Sequence, residues 1–314
     1  MSAEATRAGF AAILGAPNAG KSTLVNRLVG TKVSIVSQKV QTTRFPVRGV
    51  VTAGAAQIVL VDTPGVFKPR RRLDRAMVRA AWAGAEDADA VVHLIDAKAE
   101  LAAEEPNARP ADKLAAKDAA AILEGLKAAS LPAILALNKI DAIRRDRLLG
   151  LAERLFGSGA YSEVFMISAA DGSGVEDLKA RLAAAMPEGP WLYPADQTGD
   201  LPARLLAAEI TREKVYLRLH DELPYAAAVE TTAFADAKKG ALRIEQTIFV
   251  ERDSQRPIVL GKGGQTLKWI GEAARTELAV ILERPVHLFL TVKVQENWSE
   301  TRAFYTGVGL DFDV

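Results

Sequence analysis

The chain has 314 residues with 40 Lys+Arg against 39 Asp+Glu, a net charge of +1, and is 49% hydrophobic and 25% charged. Those proportions exclude a disordered, collagenous or membrane-embedded protein, and the length, about twice that of a common single domain, predicts two domains. Charge divides into net +5 over residues 1–186 and net −4 over 187–314, so neither half is broadly basic, and the absence of cysteine excludes a disulfide framework, a thiolate metal site and a Cys nucleophile.

In chain order, residues 10–14 read as a buried strand followed by a Gly/Pro/Asn turn, and residues 22–29 as a helix with Leu24, Val25 and Leu28 on one face. A strand over 47–52 pairs antiparallel at a sheet edge, and buried strands recur at 58–61, 91–95, 133–137 and 164–167. Helical stretches cover 73–85, 112–129, 144–156 and 175–186, with 103–112 as an exposed loop. Strands alternating with helices of this length predict an α/β domain, a mostly parallel sheet with helices on both faces. Residues 187–202 hold four prolines and interrupt both periodicities, which predicts a linker between domains at 1–186 and 203–314.

Beyond the linker come a helix over 203–219, strands over 226–234 and 242–250, a Gly-rich turn at 261–264, a helix to about residue 282 and a strand over 286–294. That order predicts an α+β unit with an antiparallel or mixed sheet. His93, His220 and His287 are too scattered in sequence to suggest a metal site or a His-based triad. No uncharged apolar run reaches the ~18 residues of a membrane span, and the five apolar residues after Glu4 and Arg7 are too few for a signal sequence, so the cytosol is the expected compartment.

The segment Gly15-Ala16-Pro17-Asn18-Ala19-Gly20-Lys21-Ser22 fits G-x-x-x-x-G-K-[ST] and sits between a buried strand and a helix N-terminus, where backbone N–H groups can turn inward around phosphates. Lys21 brings a point charge to the β and γ groups, the Ser22 hydroxyl can ligate Mg²⁺, and Thr23 completes the expected nucleotide-binding run. Asp62-Thr63-Pro64-Gly65 emerges from the strand over 58–61 at the sheet edge where ligands of doubly wound folds bind. Asp62 can hold the Mg²⁺ shell, and the Gly65 N–H can sense a γ-phosphate.

Base choice falls to Asn138-Lys139-Ile140-Asp141, again at a strand end. A carboxylate at Asp141 can accept from the exocyclic amino group and N1–H of guanine together, a donor pair that adenine lacks. Asn138 can reach N7, the Lys139 stem can cover the ring, and Ser168-Ala169 can offer backbone N–H to O6. The combination points to GTP and GDP over adenine nucleotides. A small-molecule kinase, the competing enzyme reading, predicts adenine tolerance.

These motifs resemble those of the translation-factor-related GTPases, and among them the Era family. Gln41-Thr42-Thr43-Arg44 is similar to that family's effector loop, and the resemblance implies that one of the two threonines completes the Mg²⁺ coordination, with Thr43 favoured over Thr42. Phe45-Pro46 follows where the family usually continues with polar or basic residues. Lys21, Thr43 and Gly65 are the expected transition-state and switch contacts, and no general base is identified. Where Ras-like proteins place a water-orienting glutamine, Val66 stands, which predicts slow intrinsic hydrolysis and a need for an external arginine or cation. Asn18 occupies the position that in related families helps hold K⁺, and a turn-forming Asn is the equally weighted reading. Arg70, Arg71 and Arg72 read as a solvated charge run.

In the second domain, Gly261-Lys262-Gly263-Gly264 opens a helix with an apolar face, and a Gly-x-x-Gly loop there can bring backbone close to a nucleic-acid strand. Over residues 252–275, Arg252, Arg256, Lys262, Lys268 and Arg275 outnumber Asp253 and Glu272, which concentrates positive charge in an otherwise acidic domain. Trp269 can stack on a base, although core or linker packing is the favoured reading, and Trp191, Tyr193 and Trp298 read as core or interdomain anchors. The segment resembles a KH signature, and the element order is similar to the type II KH domain that ends Era proteins. The resemblance implies a P-loop GTPase domain followed by a KH domain that binds single-stranded RNA through Gly261, Lys262, Gly263, Gly264, Lys268, Arg256 and Arg275. It further implies the 3′ end of small-subunit ribosomal RNA as partner, a role in small-subunit assembly, peripheral association with the inner membrane face, and a monomeric state. A non-catalytic RNA scaffold is the alternative of a different class.

Overall fold

The computed structural model describes residues 5–220 and 222–314, and the chain folds as two compact units. The first comprises the chain up to Ser34, Thr43–Asp200 and Gly309–Val314; the second comprises Ile35–Thr42 and Leu201–Val308.

The first unit is built on a six-stranded sheet in the order β2-β3-β1-β4-β5-β6, formed by β1 (Arg7–Leu14), β2 (Val47–Ala53), β3 (Ala56–Asp62), β4 (Ala90–Asp96), β5 (Ala133–Asn138) and β6 (Tyr161–Met166). Only β2 runs antiparallel, at the edge, as expected. Every residue of β3 and β5 is buried, which the continuous apolar runs of a doubly covered parallel sheet require. Helices α1 (Lys21–Val29), α2 (Arg72–Glu86), α3 (Ala97–Ala103), α4 (Pro110–Ala128), α5 (Arg145–Phe156) and α6 (Val175–Ala185) complete the layers. Two apolar clusters result, one containing Leu24, Leu28 and Leu178, the other Ala81, Ile122 and Leu151.

Parallel register determines where the motifs arrive. Ile13 pairs with Asp62 and Asp96 pairs with Asn138, so the loops after β1, β3, β4 and β5 all leave the sheet at its C-terminal edge.

Helix α3 is absent from the sequence expectation. The Asp96 carboxylate caps it by accepting from the Ala99 N–H at 3.0 Å, and α4 then starts at Pro110, a residue suited to a first helical turn. The 187–202 segment also differs from the linker expected of it. Gln57 accepts from the Leu192 and Tyr193 N–H groups, Trp191 Nε1 donates to the Ala55 carbonyl, and Tyr193 donates to Asp200, so its prolines shape a strap along the first unit. Residues 309–314, expected within the second domain, belong to the first unit. There Phe312 lies under the Arg72 guanidinium at 4.3 Å and Asp311 pairs with Arg79 at 3.2 Å, so Arg72 is engaged where a solvated charge was expected.

The second unit carries α7 (Ala203–Arg218), then β7 (Ala227–Asp236) and β8 (Leu242–Val250) as an antiparallel pair. A short helix, α8 (Arg256–Leu260), the glycine turn and α9 (Gln265–Ile281) follow, and β9 (Val286–Val294) runs parallel to β8 before α10 (Arg302–Gly307). The sheet is therefore mixed. Val215, Ile248, Ile270 and Val292 form part of its core, and Trp298 is buried with Nε1 donating to the Ala226 carbonyl at 2.9 Å. Trp269, by contrast, is 39% exposed with the Arg218 guanidinium over its ring, so it is a surface residue and not the core anchor expected.

Candidate nucleotide site and nucleic-acid interface

The glycine-rich turn between β1 and α1 wraps around Lys21. This ammonium is 6% exposed and donates to the Gly15 and Ala16 carbonyls at 3.1 and 3.0 Å. Burial pulls its pKa down to about 8, and the nearby Asp62 carboxylate opposes the fall. A buried ammonium held by two neutral carbonyls is ready to exchange them for phosphate oxygens. Gly20 has φ 101°, and a Cβ there would sit 2.3 Å from Asn138 Nδ2, so only glycine fits.

Three oxygens from three loops converge beside Lys21. Ser22 Oγ and Thr43 Oγ1 lie 2.9 Å apart, and Thr43 Oγ1 donates to Asp62 Oδ2 at 3.3 Å. Burial raises the Asp62 pKa, against the lowering effect of Lys21. Its Oδ1 is buried without a hydrogen-bond partner, a cost of about 1–3 kcal/mol that a hard cation would relieve. This all-oxygen set fits Mg²⁺. Thr42 is turned away: its hydroxyl lies 2.6 Å from Ser37 Oγ and donates to the Lys39 carbonyl. Of the two threonines, Thr43 is the one brought to Ser22 and Asp62.

Thr63 Oγ1 donates to the Ile13 carbonyl at 2.7 Å and the Val66 N–H to the Gly15 carbonyl at 3.1 Å, which fastens the chain after β3 to the phosphate loop. Pro64 and Gly65 are buried within that turn, with Gly65 packed against Pro17. Val66 is buried among apolar residues and contributes no polar side chain. Asn18 is exposed with φ 63°, and the Lys139 ammonium donates to its carbonyl at 2.8 Å and to Asp96 at 2.5 Å.

Asn138 is 2% exposed, donating from Nδ2 to the Ala19 carbonyl and accepting from the Ala169 N–H. It ties three loops together, since a buried amide needs partners on both ends. The Ser168 N–H donates to the Ser173 carbonyl at 2.9 Å. Asp141 remains an exposed carboxylate immediately after β5.

In the second unit, Lys262 and Gly263 are exposed at the turn into α9. Gly261 has φ 73°, and a Cβ would lie 2.3 Å from Thr266 Oγ1. Arg256, Lys268 and Arg275 are all exposed, with Lys268 4.0 Å from Glu272. A groove of about 580 Å³ runs from Gly264 along Lys268, Gly271 and Arg275 to His287 and Phe289 of β9. Sequence reasoning missed His287 and Phe289. An exposed aromatic in the strand after the glycine-turn helix was the available signal, since Phe289 is 49% exposed.

Fold and site together define a P-loop GTPase joined to a KH domain. Residues 10–139 match the family described as 50S ribosome-binding GTPase and residues 222–299 match the KH domain. The chain is 71% identical over 309 residues to the GTPase Era of Caulobacter vibrioides, covering 98% of each, and 59% identical over 314 residues to that of Maricaulis maris, covering 100% of each. It belongs to the Era family of GTPases. Among solved structures it is similar to Era in complex with MgGDPNP and nucleotides 1506–1542 of 16S ribosomal RNA, with a TM-score of 0.87, 38% identity, and 97% of this chain and 99% of that chain covered. A structure of Aquifex aeolicus Era bound to GDP·AlF4⁻ is similar with a TM-score of 0.86 and 38% identity, again covering 97% of this chain and 99% of that one.

Proposed function

We propose that this protein hydrolyses GTP to GDP and phosphate and binds single-stranded RNA at the 3′ end of small-subunit ribosomal RNA, assisting assembly of that subunit. The observation that carries the reading is the convergence of the Ser22, Thr43 and Asp62 oxygens beside the buried Lys21 ammonium, at the sheet edge that also presents Asp141. Lys21 holds the β and γ phosphates, Asp141 accepts from the guanine donor pair, and Gly261 to Gly264 lets an RNA backbone approach with Lys262, Lys268, Arg256 and Arg275 around it. Bound Mg²⁺, held by Ser22, Thr43 and Asp62, neutralises phosphate charge.

Turnover is slow, because Val66 brings no polar atom to orient the attacking water. An outside arginine or K⁺ near Asn18 supplies the missing charge. The protein acts as a cytoplasmic monomer with peripheral contact to the inner membrane face; no helix among the described residues is long and apolar enough to cross a membrane. Calorimetry with GTP and ATP, joined to turnover with and without single-stranded RNA in K⁺ or Na⁺, tests the reading. Equal affinity for the two nucleotides would overturn it, and RNA binding without turnover would favour the scaffold. Vesicle flotation and sedimentation test the membrane and monomer statements.

A further inference from the structure

Asp96 closes β4 and belongs to none of the nucleotide motifs, yet its carboxylate serves two partners. Oδ1 accepts from the Ala99 N–H at 3.0 Å and starts α3. Oδ2 accepts from the Lys139 ammonium at 2.5 Å. Parallel register brings the pair together, because Asp96 stands opposite Asn138, the residue before Lys139. The same ammonium donates to the Asn18 carbonyl of the phosphate loop at 2.8 Å.

This arrangement is stiff at both ends. With Oδ1 committed to the first turn of α3, the carboxylate plane is set and Oδ2 is left facing Lys139. Lys139 in turn has φ 67° and ψ 35°, a left-handed backbone that a residue with a Cβ adopts at a cost. Its bonds to Asp96 and Asn18 hold it there and stretch the four-carbon stem between its own Cα and the phosphate loop. A free lysine stem loses rotamer freedom when it covers a ring, whereas this one has lost it before any ligand arrives.

We propose that Asp96 is a positioning residue for the guanine base: by anchoring the Lys139 ammonium it preforms the stem as a shelf for the purine ring and steadies the turn that presents Asp141. The inference rests on the GTPase reading and adds to it a residue that does not itself touch the nucleotide. Asp96 acts on the base side alone, so GTP and GDP gain equally from it and the hydrolytic step gains nothing.

The test compares wild type with Asp96→Asn, whose side-chain oxygen still caps α3 while the charge facing Lys139 is lost, each with and without Lys139→Met. Readouts are the affinities for GDP and a non-hydrolysable GTP analogue, the split between KM and kcat in GTP turnover, and hydrogen exchange of the Ala99 amide, which monitors the cap. Asp96→Asn should weaken both nucleotides about tenfold and raise KM with kcat unchanged, the scale of one charge-assisted hydrogen bond. The Lys139 side chain is 37% exposed, so solvent screens the pair in part and the loss should not exceed that scale. Ala99 exchange should stay slow, and in the Lys139→Met background Asp96→Asn should have no further effect. Asp96→Ser also keeps a capping oxygen and removes the charge, and it should show the same tenfold loss if Asp96→Asn fails to fold. Unchanged nucleotide affinity with a slow Ala99 amide, a loss confined to the GTP analogue, or full additivity with Lys139→Met would each overturn the proposal, while a wild type that prefers GTP to ATP and turns it over would leave the GTPase reading intact. A wild type without that preference or turnover would instead remove the reading itself.

Discussion

Asn138 and Ala19 are joined by a hydrogen bond of 2.7 Å from the side-chain amide to the backbone carbonyl, across 119 residues of sequence. This bond fastens the guanine-side loop to the phosphate loop. Asn138→Asp would place an acceptor against an acceptor in a buried site. GTP affinity should fall about tenfold to a hundredfold, matching roughly 1–3 kcal/mol for a lost buried bond, and the midpoint of thermal unfolding should fall as well. Calorimetry with GTP and ATP checks this. A selective loss of guanine preference at unchanged stability would show that Asn138 acts on the base alone.

On the proposed reading, Asp141 selects the base. Asp141→Asn removes the acceptor pair for the amino group and N1–H of guanine, so GTP affinity should drop about a hundredfold, the scale of two charge-assisted bonds weakened. Xanthosine triphosphate carries an oxygen where guanine carries the amino group and should bind the variant more tightly than GTP does. Competition binding with the two nucleotides reads the switch.

Nucleotide binding should weaken as pH rises above about 8. Burial lowers the Lys21 pKa to about 8 in the free protein, so a rising fraction of the ammonium is lost there, while bound phosphate favours the charged form. Binding must then take up a proton. Calorimetric titration at pH 7.0 and about 9, in two buffers of different ionisation enthalpy, should give proton uptake only at the higher pH.

His93 is wholly buried in β4, its Nδ1 2.8 Å from the Tyr161 hydroxyl. Burial, with Lys21 adding to it, lowers its pKa to about 3. The unfolded chain therefore binds a proton that the folded chain refuses as pH falls from about 6.5 toward about 3, and stability drops by about 1.4 kcal/mol per pH unit in that window. His93→Gln keeps a polar atom for Tyr161 without the titration. Urea unfolding at pH 7, 6 and 5 should show a flatter profile for the variant, and parallel profiles would contradict the assignment.

At the glycine turn before α9, Gly261→Ala meets both the φ of 73° and the 2.3 Å approach to Thr266 Oγ1. RNA affinity should fall with GTP turnover in the absence of RNA unchanged. Lys262→Ala should weaken RNA binding uniformly across sequences and reduce the salt slope by about one charge. Filter binding over a range of salt concentrations separates the two effects.

The sheet and its motif loops were legible because parallel strands bury continuous apolar runs and release their loops at one edge. Asp62, Asn138 and Asp141 each follow such a run, which makes their place at the sheet edge readable from sequence. Other features depend on contacts that local pattern does not encode. The bonds of Asn138 to Ala19 and Ala169 join residues far apart in sequence, which no local period reports. Helix α3 was missed because its seven residues are too few to display a period, although Asp96 before an Ala-rich stretch was a usable capping signal. Trp269 followed an apolar pattern yet faces solvent, since a helix with an apolar stripe leaves its flanks outside.

The contact of Phe312 with Arg72 bears on the order of events during synthesis. Residues 309–314 emerge from the ribosome after the whole second unit, yet they pack on α2 of the first. A nascent chain can thus form the six-stranded sheet early, but the outer face of α2 acquires this covering only after the second unit has been synthesised.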